Sequence, residues 1–216
     1  MWAKLTKVWQ SCFEEAWESY CHGSIPIGAV LVNSDEVIVS RGRNRINETQ
    51  APNKQTCSNR LAHAEINALM QIESTDSETF KDYTLYTTTE PCVLCFGAIT
   101  MTGIRKVRFA ATDPIAGGRN LNYSDNSFIK SRGIDIESAE KQLGEIQQVL
   151  MTDYILRSIK EEQVSRFLNS YTIDYPKAVT IGIKWYKENK LYQASKEQLP
   201  INMIIDDILE ALRNTK

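Results

Sequence analysis

The sequence predicts an α/β sandwich with parallel strands through the middle of the chain, followed by a smaller C-terminal segment. Two observations carry this expectation. Short apolar, β-branched runs alternate with stretches of helical periodicity between residues 27 and 111. Clusters of Gly, Pro, Asn and Asp separate those runs, as turns between packed elements require.

The elements follow in order. Trp2, Leu5, Val8, Trp9, Cys12, Phe13, Ala16, Trp17 and Tyr20 recur at helical spacing, so the chain opens with an amphipathic helix whose apolar face is rich in aromatic rings. Gly23 and Pro26 break it, and residues 27–32 form an apolar run suited to a buried strand. Residues 33–36 read as a turn, and residues 37–40 return as a second strand ending in the polar stretch 41–45. Residues 46–61 have no clear period and read as a long loop, a length at which loops tend to be functional. A helix is expected over 62–72, a strand over 83–88, a helix beginning at Pro91 and a strand over 106–111. Turn formers fill 117–125. A short helix near Ser127, a strand near Ile134 and a helix over 140–159 complete a first domain, taken as residues 1–156.

Residues 157–216 read differently. Val179, Ile181, Ile183 and Trp185 alternate with Thr180, Gly182, Lys184 and Tyr186, the signature of a half-buried strand. Ile204, Ile205, Ile208, Leu209 and Leu212 line one side of a terminal helix. The expectation is a small α/β extension, serving as a dimer contact or a lid.

Composition narrows the function. Hydrophobic residues make up 42% and charged residues 24% of 216, the balance of an ordinary globular protein. A net charge of -2 argues against a surface built mainly to grip a polyphosphate backbone. There is no stretch resembling a secretory signal or a membrane span, so the expected location is cytoplasmic, with no membrane partner. An odd number of cysteines, five, with two in a Cys-x-x-Cys beside proline, favours metal ligation over a disulfide framework.

The chemistry is concentrated in His63-Ala64-Glu65 and Pro91-Cys92-Val93-Leu94-Cys95. A Cys-x-x-Cys at a helix start puts both sulfurs on one face, near unpaired amides that favour thiolate. Pro91 at the first helical position sacrifices no hydrogen bond. Inside a helix His63 and Glu65 would point to nearly opposite sides, so their joint use requires a helix terminus aimed into a pocket. Three ligands, His63, Cys92 and Cys95, would leave a tetrahedral zinc one open position for water, with Glu65 placed for general acid/base work. That pattern, H-x-E followed by P-C-x-x-C, is the zinc-deaminase signature.

On these residues the chain resembles the cytidine deaminase superfamily, in the branch of tRNA adenosine deaminases, yeast-type cytosine deaminases and guanine deaminases. The similarity runs from residues 26–30 through Gly42-Arg43-Asn44 and His63-Ala64-Glu65 to residues 85–92 and Gly97-Ala98-Ile99. It implies a three-layer α/β/α fold around a five-stranded mixed sheet, often dimeric, so a homodimer is expected. It also implies that Asn44 hydrogen-bonds the base or sugar, and that the amides of Ala64 and Cys92 face its amide or carbonyl edge. Phe128 matches a segment near the pocket of guanine deaminases, where an aromatic could cover the base; core packing is its other reading.

The other readings are equally concrete. The metal site could be a closed knot with Cys57 or Cys21 as a fourth ligand. Asn44 could be a turn residue capping a strand end. His22 reads as a helix-end residue and Cys12 as core. Arg41, Arg43 and Arg45 suit either phosphate steering or a solvated strand edge. For the whole chain, the first expectation is deamination of a free nucleobase or nucleoside. tRNA adenosine-to-inosine editing stands second, because basic surfaces mark such enzymes and this chain carries Glu161-Glu162 and a final helix with Asp206, Asp207 and Glu210. A zinc-containing binding module without turnover is the third.

Overall fold

The computed structural model describes residues 2–73 and 78–215. A short 3-10 turn, Trp2–Lys4, precedes α1, Lys7–Cys21, so the predicted first helix is split at Leu5-Thr6. The cause is a cap: Thr6 takes an extended conformation and its hydroxyl accepts from the Trp9 amide at 3.4 Å. His22 caps the other end, as its sequence position suggests, and Gly23 leaves with a φ of 74°.

Strands β1, Gly28–Val32, and β2, Ile38–Arg43, form an antiparallel hairpin. Its turn is stapled by the Asn33 carboxamide, which accepts from the amides of Asp35 and Val37. β2 runs three residues beyond the predicted strand because Arg41, Gly42 and Arg43 continue the register against Val30, Ala29 and Gly28. At this sheet edge the Arg41 side chain reaches water and pairs with Glu14. After the irregular loop comes α2, Ala64–Leu69, shorter than expected, then β3, Thr84–Thr89, α3, Val93–Thr102, and β4, Lys106–Ala111. The second loop holds a 3-10 turn, Arg119–Tyr123, and α4, Ser127–Arg132, leads to β5, Asp135–Ser138, and α5, Lys141–Ser158.

The five strands lie in the order β2-β1-β3-β4-β5, with β3-β4 and β4-β5 parallel and the remaining pairs antiparallel. Strand alternation divides the interior into two layers. Val30 and Val32 of β1 join Trp9, Phe13, Ile146 and Leu150 beneath α1 and α5, while Ala29 and Leu31 join Leu85, Phe96, Ile99 and Val107 under α2 and α3. Gly28 lets α1 touch the sheet: a Cβ there would lie 2.1 Å from the Cys12 carbonyl oxygen.

The C-terminal segment departs from its prediction. Residues 179–186 are not a strand but part of α7, Pro176–Lys187, one of four helices with α6, Glu161–Asp174, α8, Lys190–Lys196, and α9, Ile201–Asn214. Among the described residues this extension contains no strand. Pro176 at the helix start and the burial of Ala178, Val179, Ile181, Gly182 and Trp185 on one side explain the reversal. Tertiary packing overrides the β propensity of Val and Ile, for Gly182 brings α7 so near α5 that a Cβ would lie 2.5 Å from that of Thr152. The predicted stripe of α9 is buried as expected, in the same cluster as α1 and α5. No described helix is long and apolar enough to cross a membrane.

Candidate metal centre

His63 and Cys92 both stand at helix N-caps, in extended conformation, His63 before α2 and Cys92 before α3. This resolves the geometric conflict in His-x-Glu, since His63 lies outside the helix and its ring leaves the shaft, while Glu65 occupies the first turn with 3% of its surface exposed. The second helix begins two residues later than Pro91. Cys92 is held by an isolated bridge to Gly117, and its carbonyl accepts from the Phe96 amide at 2.8 Å. Cys95 follows one turn on.

The side chains meet as the motifs imply. Nδ1 of His63 lies 3.5 Å from the sulfurs of both Cys92 and Cys95, which are 3.6 Å apart. With Zn–S bonds of about 2.3 Å and Zn–N bonds of about 2.0 Å, a tetrahedron has S···S edges of about 3.8 Å and N···S edges of about 3.5 Å. The three atoms therefore fit three corners of a zinc tetrahedron. Among the described residues this is the one such group, and neither Cys57 nor Cys21 belongs to it. A closed four-ligand knot finds no support.

The electrostatics agree with thiolate ligation. A hydrogen bond with the Cys95 thiol, and a weaker one with His63, push the Cys92 thiol down to about 4 against the opposing effect of burial. Cys95 is pushed up by the same hydrogen bond and by burial. His63 is raised, chiefly through its contact with Cys92. Glu65 is raised by burial and then by the neighbouring Cys92. Its Oε1 accepts from the Thr87 hydroxyl at 3.1 Å and its Oε2 from the Cys95 thiol at 3.3 Å.

Asn44 sits just beyond β2, buried. Its backbone N–H donates to the Ile27 carbonyl, its own carbonyl accepts from the Ser19 hydroxyl, and Oδ1 accepts from the Ile46 amide at 3.2 Å. That last bond is a turn-capping one, yet the carboxamide nitrogen is left buried with no partner in the protein. Ala64 is fully buried as the first residue of α2, where its N–H has no intrahelical partner. Phe128 lies on α4, 42% exposed, with the Arg132 guanidinium 4.6 Å from its ring centroid. Cys12 is core.

Sequence reasoning assigned no part to Glu90 or Asn67. The buried Glu90 carboxylate accepts from the amides of Asp113 and Arg119 at 3.3 and 3.2 Å, lacing the 112–119 loop over the start of α3. Asn67 accepts from the Thr56 amide and donates to the Arg43 carbonyl, tying the long loop to α2. Within that loop Glu48 is gripped by Arg43 at 2.9 Å and Arg45 at 2.5 Å. Arg43 and Arg45 thus serve an internal ion pair, while Arg41 stays at the solvated edge beside Glu14. A carboxylate directly before Pro-Cys was the available signal for Glu90; nothing local marks Asn67.

Residues 3–111 match the family model described as the cytidine and deoxycytidylate deaminase zinc-binding region. The chain is 30% identical over 135 residues to a cytosine deaminase of Candida albicans, covering 62% of this chain and 79% of the relative. It is also 30% identical over 148 residues to a tRNA-specific adenosine deaminase of Aquifex aeolicus, covering 65% and 92%. A solved structure from a study of A-to-I editing by tRNA:A34 deaminases aligns with a TM-score of 0.51 at 29% identity, over 61% of this chain and 96% of that one. A metal-ligand geometry, a sheet order and a family match that converge on the same residues have one reading: this chain belongs to the cytidine and deoxycytidylate deaminase zinc-binding family.

Proposed function

We propose that the protein catalyses the zinc-dependent hydrolytic deamination of a nucleobase or nucleoside, in which water replaces an exocyclic amine, leaving a carbonyl and ammonia. The observation that carries this reading is the buried Glu65 carboxylate, 3.3 Å from one sulfur of a three-atom group shaped for zinc. In this reading His63, Cys92 and Cys95 would hold the zinc, which when bound would supply a water made acidic near neutrality. Glu65 takes one proton from that water and delivers it to the ring nitrogen as the oxygen adds to the amino-bearing carbon. It then takes the second proton from the added hydroxyl and passes it to the amine, whose C–N bond breaks as the carbonyl forms. The unpartnered Asn44 carboxamide nitrogen donates to an acceptor on the base or sugar, which satisfies a donor that burial otherwise leaves at a cost of roughly 1–3 kcal/mol. The amides of Ala64 and Cys92 face the amide or carbonyl edge.

Ammonia release from cytosine, guanine, adenine and their nucleosides tests this, with Glu65→Ala as control. Turnover of at least one compound is expected. The variant should keep its zinc and lose roughly 100- to 10,000-fold in rate. Inosine formation in a tRNA anticodon arm, with silence on the small compounds, would move the substrate class to RNA. No turnover on any of them, with zinc bound and Glu65 intact, would leave a binding module.

A further inference from the structure

Three threonines in succession end β3, and their hydroxyls have three different fates. Thr88 Oγ1 accepts from the Gly28 amide at 3.2 Å, Thr89 Oγ1 is buried with no partner in the protein, and Thr87 Oγ1 donates to Oε1 of Glu65 at 3.1 Å. Thr87 is fully buried at the centre of the sheet, with Ala29 of β1 and Phe109 of β4 as its register partners. A β-branched side chain in a strand is stiff at χ1, so the hydroxyl is held by the sheet itself. The carboxylate it meets has no such restraint, because the terminal torsion of Glu is broad and two-fold.

We infer that Thr87 is a positioning residue: it anchors Oε1 of Glu65, which leaves Oε2, on the side of the ligand sulfurs, as the oxygen that exchanges protons. The two contacts of Glu65 differ in kind. Cys95 belongs to the group that could hold zinc, and a thiolate ligand has no proton to donate, whereas Thr87 stands outside that group and keeps its donor whether or not metal is bound. One oxygen is thus permanently occupied and the other is released when the site is filled. The inference rests on the function proposed above, in which Glu65 moves the protons.

The experiment compares Thr87→Val, which keeps the shape and removes the donor, with Thr87→Ser, which restores it. Zinc content, kcat and KM are measured on whichever panel compound the wild type deaminates, alongside crystal structures of the zinc-loaded proteins. We expect Thr87→Val to bind zinc normally, with KM changed by no more than about 2-fold and kcat reduced roughly 10- to 100-fold, the range of a lost hydrogen bond to a charged group. Thr87→Ser should recover to within about 3-fold of wild type. The Glu65 carboxylate should turn in the valine variant and return in the serine variant. Unchanged kcat in Thr87→Val, loss of zinc in place of rate, or a carboxylate that does not move would each overturn the inference. If the wild type deaminates nothing, the proposed function fails, and the carboxylate orientation in the two crystals still decides whether Thr87 positions Glu65. Should the valine protein not fold, Thr87→Ala carries the same expectations.

Discussion

Gly42 and Ala64 meet backbone to backbone: a Cβ on Gly42 would lie 2.4 Å from the Ala64 carbonyl oxygen and 2.4 Å from the Ala68 amide nitrogen. The helix that begins immediately after His63 therefore rests directly on β2, and the height of His63 above the sheet is set by a missing side chain. Gly42→Ala should force α2 outward. Overpacking of this kind costs about 1–3 kcal/mol, which for a chain of this size lowers Tm by roughly 2–12 °C. Zinc occupancy should fall with it. Thermal unfolding and metal analysis check this, and normal zinc content in a destabilised variant would separate the helix position from the metal site.

Proton release on zinc uptake reports the state of the two sulfurs. Cys92 is held at about 4 and is thiolate throughout the neutral range, while Cys95 is pushed up and keeps its proton until metal displaces it. In the alkaline range zinc uptake should discharge one thiol proton, from Cys95, beside any given up by the bound water. As pH falls through the raised His63 range, a second proton should join it, because protonated His63 must then also discharge. Ultraviolet thiolate absorbance of the metal-free protein across the neutral range measures the Cys92 state directly, and its absence would contradict a preformed Cys92 thiolate.

Metal removal should destabilise the whole fold. Ligand binding to the native state contributes about 2.7 kcal/mol at a hundredfold excess over Kd, or a drop in Tm of roughly 5–10 °C on chelation. Zinc restores it. A melting curve that does not respond to chelator would argue against a metal joining α2 to α3.

Glu90→Ala should free the 112–119 loop, since two backbone amides lose their acceptor. Removing a group that orients a ligand residue typically costs 10- to 100-fold in metal affinity, so roughly that loss is expected here. Faster proteolytic cleavage within residues 112–119 is the accompanying signature.

Asp153 ties the extension to the core. It is fully buried, accepts from the Tyr20 hydroxyl, and pairs with Arg157 at 2.6 Å, whose guanidinium also reaches Asn189 and the Tyr186 carbonyl. Asp153→Ala would leave a phenol and a largely covered guanidinium without their acceptor, a loss of about 3–5 kcal/mol by comparison with other broken buried pairs. Chemical denaturation should show one cooperative transition moved to lower denaturant. Two separate transitions would mean that the helices after Ser158 unfold on their own.

Much of this protein is determined by residues close together in the chain. His63-x-Glu65 and Cys92-x-x-Cys95, the caps around α1, the central strands and the stripe of α9 all depend on spacing, torsional preference and the period of apolar residues, which act over a few positions. The group His63, Cys92 and Cys95, which could hold a metal, was legible for that reason, and the structure adds that both motifs use a helix cap. What the tertiary structure alone decided involves partners far apart in sequence. The β-branched residues of α7 alternate as a strand would, and the close surface of α5 at Thr152 makes them a helix. Which threonine of three meets Glu65, which loop Glu90 holds, and that Asn44 keeps an unanswered donor depend on contacts between separate elements, whose energies no local pattern encodes.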